Sequence, residues 1–390
     1  MKRDRTSRSA AALGARGFPV RPGRGKPSGA ARALLAVTVL LVLFGLLSVY
    51  SASVYIAQRS GRTDTYFLFQ QASRAGVGIL ALLGAVLVDY RVYRRLAWPI
   101  LGVTILLLLA VVLPGTEAIA PRVNGARRWI DLGVTVQPSE LAKVAVVIWA
   151  AALAAKKEDL LHDFRAGLLP FLVVLAPVCL LVLLQPHFSA AAWIAVLAGT
   201  VLFAAGARLR HFAALAGSVL VLGAAQVLAA DYRLRRWAAF LDPQTAAETG
   251  GYQLRQSLIA VGSGGLAGVG FGRSTTKMHF LPEPQNDFIF SVIAEEWGFL
   301  GAVFLIAAFV VWTLLGFRIA RSAPDTFGRL LATGLTASVA LAAVAHVGIA
   351  VGLLPTTGVN LPFISAGGTS LVLALGTTGI LLNISRAGGA

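Results

Sequence analysis

Residues 282–304 read PEPQNDFIFSVIAEEWGFLGAVF. The stretch leaves a polar, proline-bearing loop and enters an apolar run that continues past Phe304. It carries Asp287, Glu295 and Glu296 into what reads as one helix. A charged side chain at the centre of a bilayer costs about 2.5–3.5 kcal/mol on insertion scales. Three carboxylates in such a place call for partners or for a task.

The rest of the chain says that the bilayer is the right solvent. It has 390 residues, of which 57% are hydrophobic and 13% charged. A soluble domain carries about 25% charged residues. The net charge of +17 is therefore read by its distribution across a membrane, and no nucleic-acid partner is expected. Cys179 is the single cysteine, so neither an internal disulfide nor a cysteine metal cluster is available.

Ten spanning segments are expected, near 33–53, 72–88, 97–114, 138–155, 166–184, 188–205, 211–230, 288–317, 327–353 and 364–384. The fold class is an all-α polytopic membrane bundle, with the membrane domain at 33–385 and short tails at 1–32 and 386–390. The first tail holds nine Lys/Arg and one Asp and reads as disordered. The apolar run after it is long enough to span, and no A-x-A cleavage site follows, so it reads as a retained helix. Loops 89–96, 156–165, 207–211 and 317–329 are short and basic. With the basic tail, they place both termini in the cytoplasm.

Two outside loops break that rule. Residues 121–133 carry Arg122, Arg127 and Arg128. Residues 231–287, the large extracytoplasmic loop between helices 7 and 8, carry Arg233, Arg235, Arg236, Arg255, Arg273 and Lys277. Arginine binds phosphate through two parallel N–H bonds, so an anionic headgroup is one reading; ordinary lipid or loop acids are the other. Within the long loop, RLRRWAAFLDP reads as an amphipathic or re-entrant helix. QSLIAVGSGGLAGVGFG (256–272) holds too many glycines for a stable helix and is expected to line a cavity opening outward.

QPSELAK (137–143) starts a helix at Pro138, and Glu140 and Lys143 share a face at a spacing of three. Asp287 stands where the long loop meets the eighth helix. It is either a first-turn acid or a carboxylate at a cavity floor. At about 100° per residue, Glu295 falls near the same face as Asp287, and Glu296 on the opposite face with a buried polar partner. The histidines show no metal-ligand spacing, and no nucleotide-binding or zinc-protease motif is present.

GARRWIDLG, QPSELAK, YRLRRWAAFLDP, QSLIAVGSGGLAGVGFG, LPEPQNDFIFSVIAEEWGFLG and GLLPTTGVNLPFISAGGTS occur in that order. Together they resemble the SEDS family of membrane proteins, which comprises FtsW, RodA and SpoVE. The likeness runs from about Ser48 to Ile384, and GVGFGRSTTKMHFLPE is similar to the FtsW version of its segment. The resemblance implies a peptidoglycan glycosyltransferase that polymerises lipid II at the outer face of the bacterial cytoplasmic membrane. It implies a class B penicillin-binding protein (an FtsI-like transpeptidase) and other divisome membrane proteins as partners. Asp287 matches the aspartate of the family's DFIF motif and would be the general base. Arg128, Arg233, Arg236 and Lys277 would hold the leaving pyrophosphate, with a divalent cation (Mg or Mn) as the candidate cofactor. Glu140 and Lys143 match the QPSE-x-x-K pair and would support the cavity; Glu295 and Ser365 join the candidate substrate contacts. The chain departs from the family at His187, where many members have Asp, and at His346, where many have Asn. A lipid II flippase, an elongation-type RodA-like polymerase and a non-catalytic scaffold for the transpeptidase are the competing readings. Charges concentrated on the outer side favour an enzyme over a flippase.

Overall fold

The computed structural model describes residues 28–122, 126–131, 133, 135–208, 210, 212, 217, 240 and 251–388. The helices, in chain order, are α1 (Gly29–Arg59), α2 (Tyr66–Leu87), α3 (Tyr90–Val112), α4 (Pro138–Lys156), α5 (Leu169–Leu184) and α6 (Phe188–Ala204). After the 211–250 region come α7 (Gly251–Ser263), α8 (Thr276–His279), α9 (Ile289–Arg321), α10 (Thr326–Ala350) and α11 (Gly368–Gly388). Among the described residues, eight helical segments are long and apolar enough to cross a membrane: α1 to α5, α9, α10 and α11, with α5 counted from the π-turn at Phe164. The shorter apolar α6 makes a ninth candidate. The expected segment at 211–230, the re-entrant helix near 233–243 and the N-terminal tail lie outside the described residues.

Apolar runs become helices here because only internal hydrogen bonds satisfy the backbone in lipid. Polar caps set the ends. Ser28 accepts from the Ala31 N–H, Asp89 from Arg91 and Asp325 from Gly328, and each cap replaces a bond that the first turn lacks. Pro138 opens α4, as its position in QPSELAK implies. The bounds differ from the expected segments in both directions: α2 and α3 begin earlier, at Tyr66 and Tyr90, whereas α10 ends at Ala350 and α11 starts only at Gly368. Helix α1 runs to Arg59, since the polar flank continues the turn into the interface.

Helices α4, α10 and α11 are the most enclosed. Helix α11 packs mainly on α2, α9 on α10 and α1, and α3 and α6 on α4. At Gly334 of α10 a methyl group would stand 2.6 Å from Val147 and 2.7 Å from Val201. The absence of a side chain is what brings α4, α6 and α10 together, as small residues do in membrane interfaces. Phe69, Leu80, Leu106, Val173, Phe203 and Leu314 are exposed and form the apolar surface that lipid would cover.

The glycine-rich stretch corrects the expectation of no helix. QSLIAVGS belongs to α7, because up to Ser263 only Gly251 and Gly262 interrupt it. Beyond that point Gly265, Gly268, Gly270 and Gly272 adopt positive φ, and the chain folds into a break in α9. Gly298, with φ 66° and ψ −165°, interrupts that helix. The broken ladder is repaired from outside. Val269 and Gly270 donate to the carbonyls of Glu295 and Glu296, and Phe299 and Leu300 donate to those of Gly265 and Leu266, at 2.9–3.1 Å. Any Cβ at Gly268 or Gly298 would lie within 2.3 Å of the opposing backbone.

Candidate active site

A cavity of about 880 Å³ opens at one end of the bundle. Its wall draws on alternate connections, which an up-and-down chain places at the same end. The α3–α4 connection supplies Arg128, Trp129 and Gln137, and the α5–α6 turn supplies Pro186 and His187. The approach to α9 supplies Glu283, Asn286 and Asp287, and the α10–α11 loop supplies Thr356 to Gly358, Asn360 and the 366–370 segment. A short antiparallel pair, Ile130–Asp131 against Thr135–Val136, stiffens the α3–α4 connection.

Asp287 precedes α9 by two residues, in a turn where its N–H donates to the Glu283 carbonyl at 3.2 Å. The two residues before it are tied to the α10–α11 loop. Ala366 N–H donates to the Gln285 carbonyl (3.0 Å), and Ser365 Oγ donates to the Asn286 carbonyl (2.8 Å). On the loop side Gly358, at φ 64°, faces the carboxylate: a Cβ there would stand 3.5 Å from Asp287 Oδ2. The carboxylate is thus half-buried between two segments that hold each other in register.

Of the other expected site residues, Arg128 lies on the wall. Its Nη2 donates to the Pro186 carbonyl at 2.7 Å and its Nε to that of Gln185 at 3.3 Å, so part of its bonding capacity fixes the α5–α6 turn. Glu140 and Lys143 form an ion pair of 2.6 Å one turn into α4, behind the wall rather than on it. His187 reaches the wall with Nδ1 3.4 Å from Ser139 Oγ. Burial, and then the charges of Arg128 and Lys143, push its pKa down to about 3, so this imidazole is neutral. Arg127 pairs with Glu117, a loop acid, the alternative to an anionic headgroup. Arg233 and Arg236 lie outside the described residues.

Three candidates are placed elsewhere. Lys277 is sealed from solvent, with Nζ 2.5 Å from Glu296 Oε1 and 2.8 Å from Ser51 Oγ; a phosphate on the cavity wall is not within its reach. Glu295 does not share the cavity with Asp287. The helical-wheel argument fails because α9 starts at Ile289, so Asp287 is not on the wheel. The Glu295 carboxylate instead accepts from Ser274 Oγ (2.5 Å), from the Thr275 N–H (2.9 Å) and from the Thr275 and Thr276 hydroxyls. Ser365 spends its hydroxyl on backbone, donating to Asn286 and accepting from Leu361 N–H. The partner expected for Glu296 is Lys277 together with Ser51, which donates to both carboxylate oxygens at 2.6 and 2.8 Å. Sequence reading missed Arg74 of α2, which lies on the wall; an arginine within a spanning segment was the available signal.

The family of FtsW, RodA and SpoVE, described as cell cycle protein, matches residues 31–388. The chain belongs to that family. It is 41% identical to the probable peptidoglycan glycosyltransferase FtsW of Trichlorobacter lovleyi, over 90% of this chain and 92% of that one. It is 38% identical to the stage V sporulation protein E of Bacillus subtilis, over 90% and 96%. Among solved structures it resembles a chain described under "Structural coordination of polymerization and crosslinking by a peptidoglycan synthase complex", with a TM-score of 0.76, 28% identity and 90% and 96% coverage. It also resembles the rod shape determining protein RodA of Thermus thermophilus, with a TM-score of 0.65, 28% identity and 90% and 95% coverage. The family fold is that of a multi-pass membrane protein, and the cavity with Asp287 lies within the matched region.

No three His, Cys, Asp or Glu side chains among the described residues converge to hold a metal by themselves. The wall offers two carboxylates, Asp287 and Glu283. That donor set fits a Mg ion that keeps most of its waters and binds through a carboxylate and substrate phosphates. It does not fit a dedicated protein cage.

Proposed function

We propose that this chain is a peptidoglycan glycosyltransferase that polymerises lipid II at the outer face of the cytoplasmic membrane, in septal synthesis. The observation that carries the reading is the placement of Asp287: a carboxylate on the wall of a polar cavity, at the end of an apolar bundle. The substrate has a polyprenyl tail for the lipid side, an anionic pyrophosphate and a polar sugar head. Asp287 takes the proton of the acceptor sugar's 4-hydroxyl as that oxygen bonds to C1 of the donor sugar. The bond from C1 to the pyrophosphate oxygen breaks, and undecaprenyl pyrophosphate leaves with the electron pair. A divalent ion held by Glu283 and phosphate oxygens would neutralise the leaving group. Both termini are cytoplasmic in this reading, and the partner is a class B penicillin-binding protein of the divisome. The names of the relatives support polymerisation, and the complex in which one structural neighbour was solved supports a transpeptidase partner.

The test is polymerisation of lipid II by the purified full-length chain, with and without the transpeptidase. Asp287→Asn keeps the shape of the side chain but cannot take a proton. It is expected to lower chain formation by about 100-fold or more, with insertion and partner binding intact. Near wild-type polymer from well-folded Asp287→Asn protein would remove the base role. Translocation of lipid II without polymer would favour the flippase.

A further inference from the structure

We infer that Arg74 is the anion-binding residue of the cavity and holds the pyrophosphate of the lipid substrate; this rests on the polymerase reading above. Arg74 sits on α2, within a membrane-spanning segment, and lines the same wall as Asp287. A charged side chain in such a segment needs a partner. Nη1 donates to the Ala366 carbonyl at 3.0 Å. A guanidinium has five N–H donors, and the others find no acceptor among the described residues. No carboxylate of the described residues pairs with it either. Asp287 and Glu283 share the wall, but neither is within ion-pair distance.

Two neighbours of Arg74 add positive potential: the first turn of α11 and Arg128. The guanidinium lies against the first turn of α11. A Cβ at Gly368 would stand 2.8 Å from Arg74 Nε and 3.3 Å from Cζ, so a larger residue there would push the guanidinium from its place. A helix N-terminus is the positive end of the helix dipole, where a cation is disfavoured. Arg128 contributes a further cation to the same wall. Half-buried, with most of its donors unspent and no carboxylate of the described residues within ion-pair distance, Arg74 is arranged to take an anionic ligand. Its planar fork matches the two oxygens of a phosphate. The alternative is that Arg74 only braces the α10–α11 loop through Ala366.

Three variants of the full-length protein in detergent separate these roles: Arg74→Ala, Arg74→Gln and Arg74→Lys. Glutamine keeps a donor for Ala366 without the charge; lysine keeps the charge without the fork. The readouts are KM and kcat for lipid II and the inhibition constant of undecaprenyl pyrophosphate, which lacks sugar and peptide. Ala and Gln are both expected to weaken each affinity about 10- to 100-fold, the range for a hydrogen bond to a charged group, with a smaller change in kcat. Lys should recover part of the loss. Glutamine behaving as wild type would overturn the inference and leave the loop brace. Weaker lipid II but unchanged undecaprenyl pyrophosphate would assign Arg74 to the sugar-peptide head and also overturn it. If the wild type makes no polymer, the function reading fails. Direct binding of undecaprenyl pyrophosphate to wild type and Arg74→Gln then still decides on Arg74.

Discussion

Lys277 Nζ stands 2.5 Å from the Glu296 carboxylate, with the lysine side chain 5% and the glutamate 2% exposed. Ser51 of α1 bonds to both. The cluster therefore joins three parts of the chain: α1 through Ser51, the short helix α8 through Lys277 and α9 through Glu296. Removing one partner of a buried ion pair leaves an uncompensated charge and costs about 3–5 kcal/mol. Lys277→Met and Glu296→Leu are each expected to lower the thermal midpoint in detergent, and the double variant to lose less than the sum. Additive losses would show that the two charges do not act as a pair.

Gly358 gives a second prediction. Alanine there would adopt a left-handed backbone conformation costing about 1–2 kcal/mol and would set a methyl group 3.5 Å from Asp287 Oδ2. Displacing water from a carboxylate favours its protonated form. In Gly358→Ala the acid limb of the pH–rate profile should move to higher pH. An unshifted limb would mean that the loop does not control the Asp287 environment.

The third concerns acid. The folded His187 resists protonation down to about 3, against an ordinary value of 6.5. Between those values the unfolded chain holds the extra proton, so stability declines as pH falls from 6.5 toward 3. His187→Gln should flatten the fall of the thermal midpoint between pH 6.5 and 4. An unchanged slope would assign the acid sensitivity to other groups.

The fourth concerns orientation. In a Cys179→Ala background, Ala118→Cys lies in the α3–α4 connection and Asp159→Cys in the α4–α5 connection; both positions are exposed. An impermeant thiol reagent on spheroplasts should label the first and spare the second. The reverse pattern would put the cavity on the cytoplasmic side.

The spans among the described residues were legible because lipid makes a single demand on a long apolar run, and Leu, Val and Ala meet it as helices. Asp287 was legible as a cavity residue because it sits at a boundary between two patterns. Glu295 was not, because its direction depends on where α9 begins, and a two-residue offset removes Asp287 from the wheel. Lys277 reads as an outward cation because it falls within the 231–287 loop of the expected topology. Its burial follows from Ser51 and Glu296, over 200 residues upstream and 19 downstream. Arg74 was hidden within a stretch read only for its hydrophobicity, and Gly368, which makes room for it, comes nearly 300 residues later.

The four backbone bonds that bridge the break at Gly298 also bear on biogenesis. Residues 264–270 leave the ribosome before α9 does, yet they have no mate until it arrives. Until they meet, α9 would enter lipid with two carbonyls and two N–H groups bare, each a penalty of several kcal/mol. Loop and helix must therefore assemble as one unit, with the loop waiting at the surface for its helix. Substitutions at Gly268 should accordingly appear first as poor yield and degradation in the cell, before any effect on turnover can be measured.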